Sequence, residues 1–306
     1  MKKILLISSH VVSGYCGNRC TVPCLQFLGY EVDAINTVQF TFHTGYKEEL
    51  GPSLTSDELA SLYKNLVNNN MTLYDCLSTG YIGDKSFAIE MKNIVQDIKK
   101  RNSHLKFLCD PVMGDNGKLY IHEEIVDVIL KDILPLADII IPNQFEAEII
   151  SGIKIKDEQS AILAIEEIKK KYPNIESIVI TSTNFSSESI IGFGYKKNEK
   201  IMRIRMKMIN ETFVGTGDTY LAFFTAYYFN DERKMSFKEI LEKCGDGMHA
   251  ILQHTYNTMN RFDSEKFKDF PVQAKKELNF LPLRRNIMDS MDRQNAFPRT
   301  TTVDEI

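Results

Sequence analysis

The stretch Phe213-Val214-Gly215-Thr216-Gly217-Asp218 constrains this chain more than any other. Two glycines flank a threonine, and an aspartate then opens a run with Leu221, Phe224, Tyr228 and Phe229 at helical spacing. The pattern predicts a tight turn entering a helix over 216–229. Glycine leaves the backbone bare, so the free N–H groups of a helix N-terminus point outward. With the positive end of the helix dipole they make a cradle for an anion. Asp218 sits in the same field, which favours its carboxylate form. Such a pairing suits phosphoryl transfer. The amides of Gly215, Thr216 and Gly217 stabilise the moving group, and Asp218 takes the proton of the attacking hydroxyl. A glycine turn capped by an aspartate explains the same six residues without any chemistry.

The rest of the chain reads as alternating strands and helices. Residues 3–8 form a buried strand, too short an apolar run for a signal segment. Ser8-Ser9-His10 and Gly14-Tyr15-Cys16-Gly17-Asn18-Arg19 follow it, a strand end where an open α/β sheet contacts ligands. A helix is expected over 18–28. Cys16, Cys20 and Cys24 share a helical face, but a zinc site needs further ligands, and small buried side chains account for them better. Residues 31–39 alternate as a strand. Phe40 to Tyr46 is rich in rings and hydroxyls, which fits either an aromatic ligand or a surface hairpin with its own aromatic cluster. Ser56 is placed to cap a helix running to about Val67.

A strand over 74–78 leads into Thr79-Gly80-Tyr81-Ile82-Gly83-Asp84 and a helix over 85–101. The strand 105–109 ends in Asp110-Pro111-Val112-Met113-Gly114-Asp115, where two carboxylates make a plausible Mg²⁺ and phosphate corner; an ordinary turn is the plain alternative for Asp115. Residues 116–120 read as a mobile loop, and 123–134 as a helix. The strand 138–141 opens onto Pro142-Asn143-Gln144-Phe145-Glu146. Asn143 and Glu146 share the first turn of a helix, either facing a hydrated metal or forming a capping box. A helix over 157–171, a strand ending at Thr181-Ser182-Thr183, a hairpin of 189–195 with 200–207, and a helix over 236–258 complete the pattern. No glycine-lysine phosphate loop, dinucleotide fingerprint or protein-kinase catalytic motif is present.

Composition narrows the class. The chain has 306 residues, 43 % of them hydrophobic, enough for a large α/β domain over 1–288, with a flexible tail over 289–306. A formal net charge of −4 gives no nucleic-acid or membrane-surface footprint, and no run approaches a membrane span. Six cysteines in a chain of this size point to a reduced, cytoplasmic compartment rather than a disulfide scaffold.

Taken together, these strand tips identify a family. Ser9-His10-Val11 with Gly14 to Arg19, Val38-Gln39-Phe40 with His43-Thr44-Gly45-Tyr46, Thr79-Gly80-Tyr81, Asp110 to Asp115, Pro142 to Glu148 and Gly215 to Asp218 resemble the motifs of the pyridoxal kinases, in the ribokinase-like superfamily. The resemblance implies a three-layer α/β/α fold with a mainly parallel sheet and a small antiparallel hairpin. It implies ATP-dependent phosphorylation of the 5′-hydroxymethyl group of pyridoxal, and of pyridoxine and pyridoxamine, in vitamin B6 salvage. Asp218 is then the base and Gly215 to Gly217 the anion hole. Ser9, Val38, Phe40, His43, Thr44 and Tyr81 surround the vitamer. Asp110, Asp115, Asn143 and Glu146 manage Mg²⁺, or another divalent cation, and the ATP phosphates. Thr181, Ser182 and Thr216 lie near phosphate, Ile209 and Phe213 on the adenine side, and Tyr120 on a flap. The resemblance also implies a homodimer and raises a monovalent cation, K⁺ or Na⁺.

The chain departs from animal members at Ile141, where they carry a phosphate-placing threonine, and at Gly83, where they carry an arginine. Two other readings stand beside this one. The first is a kinase for a hydroxymethylpyrimidine or a sugar. The second is a vitamer-binding protein without turnover, or an interaction scaffold, which predicts damage at Asp218, Gly215, Gly217, Asn143 and Glu146, all of which are intact.

Overall fold

The computed structural model describes residues 2–46, 51–263, 265–293 and 296–306. In chain order the elements are β1 (Lys3–Val11), α1 (Asn18–Phe27), β2 (Glu31–Phe40), α2 (Ser56–Asn68), β3 (Cys76–Thr79), α3 (Lys85–Arg101), β4 (Lys106–Cys109), β5 (Gly114–Asp115) and β6 (Lys118–Leu119). There follow α4 (Glu123–Val128), β7 (Ile139–Ile140), α5 (Gln144–Ser151), α6 (Glu158–Lys171), β8 (Ser177–Thr183), β9 (Ser189–Lys196), β10 (Met202–Lys207), α7 (Thr216–Tyr228), α8 (Phe237–Asn257) and β11 (Thr301–Glu305), with short helical turns between the last two.

Alternation of side chains between the two faces of each strand makes the layers. Leu5 and Ile7, Leu77, Phe107, Ile140, Ile178 and Ile180 point to one face, where α2 to α6 cover them with Leu59, Met91, Ile125, Ala147 and Ile165. Their neighbours Ile4, Cys76, Leu108, Ile139 and Val179 point to the other, under α1, α7 and α8 with Cys24, Phe224 and Leu241. Strands buried on both faces read as continuous apolar runs, the mark of a covered parallel sheet. Phe107 is fully buried at the centre. Phe107→Ala is therefore expected to cost about 3–5 kcal/mol of stability, read as a lower denaturant midpoint.

The nine-stranded sheet runs β11-β10-β9-β8-β7-β4-β3-β1-β2. From β2 to β8 the pairing is parallel, and β8, β9, β10 and β11 pair antiparallel. The expected three-layer architecture and the hairpin of β9 with β10 are both present.

Several expectations are corrected. Thr55, not Ser56, caps α2: its hydroxyl accepts from Glu58 N–H while Glu58 reaches back to the Thr55 N–H, a complete capping box. The helix expected over 123–134 stays regular only to Val128, then widens over Ile129–Ile133 and tightens around Pro135, which cannot donate a hydrogen bond. Residues 114–119, read partly as a mobile loop, form the β5–β6 hairpin, with Asn116 and Gly117 at φ +49° and +79° in its two-residue turn. The flexible tail over 289–306 is also corrected: Thr301 to Glu305 pair with Met202 to Met206, and Thr301 and Val303 are buried, which gives the chain end a place at the sheet edge. Gln294 and Asn295, within that expected tail, lie outside the described residues. Cys16 precedes α1 while Cys20 and Cys24 are buried within it, and all six cysteines are free.

Candidate active site

The carboxyl ends of β1, β2, β3, β4, β7 and β8 open into one cleft of about 690 Å³, closed on one side by the N-terminus of α7. This is where an open parallel sheet exposes backbone groups and short loops to a ligand. Ser9, Phe40, His43, Thr44 and Tyr81 line it together with Asp110, Asp115, Tyr120, Asn143, Glu146, Thr181, Phe213 and Gly215 to Asp218. Three expected site residues are not in its wall. Val38 is buried, and its backbone pairs with Ser53. Ser182, next to the lining residue Thr181, and Ile209 are part-exposed.

Both strand ends that carry hydroxyls into the cleft are irregular. The register of β1 against β2 slips between Ser8 and His10, and that of β8 against β9 slips between Ile180 and Thr183. Such slips re-aim side chains at the end of a ladder. They release Ser9 and Thr181 from the sheet's face-to-face alternation and leave them facing the cleft.

The expected turn before α7 is present. Gly215 caps the helix at φ +85° and ψ +13°, and a Cβ there would lie 1.9 Å from the Tyr15 carbonyl oxygen. Only glycine satisfies both demands. Gly217 has nothing within 4 Å of a Cβ position, so its bare backbone looks into open space. Asp218 Oδ2 accepts the Gly17 N–H at 2.8 Å. Gly17 itself has φ +56°, with Ser9 O only 2.1 Å from its Cβ position. Two glycine turns, separated by most of the chain, thus meet at one carboxylate.

The helix-terminus field was expected to favour ionised Asp218. Burial instead pushes its pKa up, and the Gly17 hydrogen bond opposes that only in part. Asp110 is pushed well up by burial and by the charges of Glu146 and Asp218. Glu146 is also raised, chiefly by burial, while N–H groups of Asn143, Met113 and Gly114 pull the other way. Acidic groups therefore crowd one wall, which attracts a cation.

The same wall is braced from within. Asn143 Oδ1 accepts the Glu146 N–H at 2.9 Å, Glu146 Oε2 accepts the Asn143 N–H at 2.9 Å, and Asn143 Nδ2 donates to Gly114 O at 2.8 Å. Glu146 Oε1 takes the Met113 N–H at 3.0 Å. The capping box is thus real, and it ties α5 to the Asp110–Asp115 corner. Asp115 accepts from Asn116 N–H and Nδ2, as in an ordinary turn, yet still borders the cleft. In the loop after β2, Phe42 stacks on Tyr46 with centroids 4.4 Å apart, so the ring-rich loop does build an aromatic cluster of its own. Ile141 presents hydrocarbon to the cleft, and at Gly83 a Cβ would approach the Tyr81 hydroxyl oxygen to 3.3 Å.

Sequence reasoning assigned no role to Gly17, Cys16 or Val214, all of which line the cleft, nor to Glu277 beside it. Gly17 stood inside a recognised motif. Glu277 follows a segment of loosened pattern, and nothing in its spacing marked it. Among the described residues no helix is long and apolar enough to cross a membrane.

A family model described as phosphomethylpyrimidine kinase matches residues 72–260. The chain is 38 % identical to the pyridoxal kinase of Homo sapiens over 303 residues, covering 94 % of this chain and 95 % of the human one. It is 34 % identical to the pyridoxal kinase of Arabidopsis thaliana, covering 85 % and 84 %. Among solved structures it is similar to pyridoxal kinase from Leishmania donovani in complex with ADP and pyridoxamine, with a TM-score of 0.84, 27 % identity and 100 % of both chains covered. Pyridoxal kinase from Entamoeba histolytica is similar at a TM-score of 0.83 and 26 % identity, again over 100 % of both chains.

Proposed function

The chain belongs to the pyridoxal kinase family, and from that membership and the cleft together we propose how it works. It is an ATP-dependent kinase of vitamin B6 compounds. In the proposed reaction the acceptor is the 5′-hydroxymethyl group of pyridoxal, with pyridoxine and pyridoxamine taken at the same place, and the products are pyridoxal 5′-phosphate and ADP. One observation carries this reading: Asp218 and the Gly215–Gly217 turn share a cleft with Ser9, Thr44 and Tyr81 on one side and with Asp110 and Thr181 on the other.

Each residue then has a task. Ser9 and Thr44 hydrogen-bond the polar edge of the pyridine, and Phe40 and Tyr81 flank its faces. The Gly17 N–H holds one Asp218 oxygen and so orients the carboxylate. The other oxygen takes the proton of the hydroxyl. The vitamer's hydroxymethyl oxygen, freed of its proton, bonds to the γ-phosphorus, the bond from this phosphorus to the β–γ bridging oxygen breaks, and ADP leaves. Burial raises the affinity of Asp218 for the proton, which helps a base near neutral pH. The amides of Gly215 to Gly217 face the equatorial oxygens of the moving group.

The donor set fits Mg²⁺ carried in with ATP: Asp110, Asp115 and Glu146 offer only oxygen. Among the described residues no group of three acidic, His or Cys side chains could cage a metal alone. Mg²⁺ needs none, since it usually takes one or two carboxylates with phosphate oxygens and water. Bound there, it would offset phosphate charge. A monovalent cation, K⁺ or Na⁺, would have to be held without a hydroxyl at Ile141. A homodimer working in the cytoplasm completes the proposal; family membership supports the first, and the six free cysteines support a reducing compartment.

The matching family model favours one rival, a hydroxymethylpyrimidine kinase. Coupled ADP release with pyridoxal, a hydroxymethylpyrimidine and a sugar in competition separates them. Pyridoxal is expected to have the highest kcat/KM by at least about tenfold, because a polar-edged ring site penalises an analogue that leaves its groups unpaired. A higher value for the pyrimidine would displace the vitamer.

A further inference from the structure

We propose that Glu277 is a positioning residue of this site, joining the loop that carries His43 and Thr44 to the turn that orients Asp218. The inference rests on the kinase reading above. Glu277 lies beyond α8, outside every motif, yet it meets three site-bearing segments. Its backbone pairs with Val214, and Val214 N–H donates to Lys276 O at 3.0 Å, which anchors it beside the Gly215 turn. Its Oε2 accepts the Tyr15 N–H at 2.8 Å, two residues before Gly17. Its carboxyl fills the space over Gly14, where a Cβ would come within 2.4 Å of Oε1 and φ is +98°. Its Oε1 lies 3.5 Å from His43 Nε2.

The His43 contact has a defined polarity. Gly45 N–H donates to His43 Nδ1 at 3.0 Å, so a neutral ring carries its proton on Nε2, the atom that faces Glu277. Burial lowers the His43 pKa and favours that neutral ring. Both facing atoms are shut off from solvent, and among the described residues neither has a hydrogen-bond partner closer than this contact. Gln273 Nε2 reaches Gly45 O at 3.5 Å, a second tie from the same segment to the same loop.

Only 8 % of Glu277 is exposed, and burying a carboxyl is costly unless donors meet it. An apolar side chain would fill the space over Gly14 without that cost. What it could not do is accept from Tyr15 and face His43 at once. The carboxyl therefore earns its place by geometry: it sets the distance between the vitamer loop and the Gly14–Gly17 turn, and Gly17 in turn holds Asp218. Arg19 stands nearby, its Nε donating to Gly14 O, and stiffens the same turn.

The test uses Glu277→Ala and Glu277→Gln, with initial rates in both substrates and calorimetric binding of pyridoxal without ATP. For Glu277→Ala the KM and Kd for pyridoxal are expected to rise at least about tenfold, the equivalent of one lost hydrogen bond. Its kcat should fall while the KM for ATP stays within about twofold. Glutamine can still accept from Tyr15, but its NH₂ then opposes the His43 Nε2–H. Glu277→Gln should thus recover kcat more than pyridoxal affinity. Unchanged pyridoxal binding in both variants, or equal rises in the two KM values, overturns the proposal. Should the alanine variant fail to fold, the glutamine variant decides alone, and wild-type pyridoxal affinity there is the overturning result. Absence of turnover in the wild type would sink the kinase reading instead, and binding would still report on Glu277.

Discussion

Asp218→Asn is expected to lower kcat for pyridoxal by about 10²–10⁴-fold, the usual worth of a positioned base. The change is close to isosteric. The amide oxygen can still accept the Gly17 N–H, so the two glycine turns should remain docked. What is lost is the ability to receive a proton. The KM for pyridoxal should therefore move little, a pattern that marks loss at the transition state rather than loss of binding. Glu146 does not substitute, since the N–H groups of Asn143, Met113 and Gly114 already engage its carboxyl. Nearly full kcat in this variant would show that the base lies elsewhere.

Gly215→Ala is expected to lower both stability and rate. An L-residue in the left-handed conformation costs about 1–2 kcal/mol before any contact is considered. Here the new methyl would also sit 1.9 Å from the Tyr15 carbonyl oxygen, a backbone atom that can yield only if the 14–17 turn moves. That movement displaces Gly17 from Asp218 and turns the amides away from the phosphoryl group. Losing such an anion hole typically costs about 10²–10³-fold in kcat. Gly217→Ala is the matched control for stability, because a Cβ there meets nothing within 4 Å and φ is unexceptional. A thermal midpoint that falls for Gly215→Ala and holds for Gly217→Ala is the expected result. Equal stability and equal rate in Gly215→Ala would mean that the turn does not need its glycine.

Much of the site was legible because its chemistry falls at strand ends, where local pattern and function coincide. The apolar run of residues 105–109 stops at Asp110, and that of 138–141 stops at Pro142 and Asn143. Each stop marks both a boundary and a ligand position. The capping box of Asn143 and Glu146 was readable for the same reason, since it needs only a spacing of three. Thr55 was missed in favour of its neighbour Ser56, because either hydroxyl satisfies the rule and only Glu58 at the third helical position decides. The Asn116-Gly117 pair carries the signal of a two-residue hairpin turn, which outweighs the loop-like composition around it.

Local pattern determined the order of strands and helices, the two-faced burial of the sheet, and the glycine turn that opens α7. These follow from side-chain period and from what glycine alone permits, and both act over a few residues. Tertiary structure decided the rest: that Gly17 N–H should hold Asp218, that Val38 should be buried out of the cleft, that Thr301 to Glu305 should close the sheet edge, and that Glu277 should reach Tyr15 and His43. Such contacts join residues far apart in the chain. Their distances depend on how whole layers pack, and packing leaves no periodic trace in the residues it brings together.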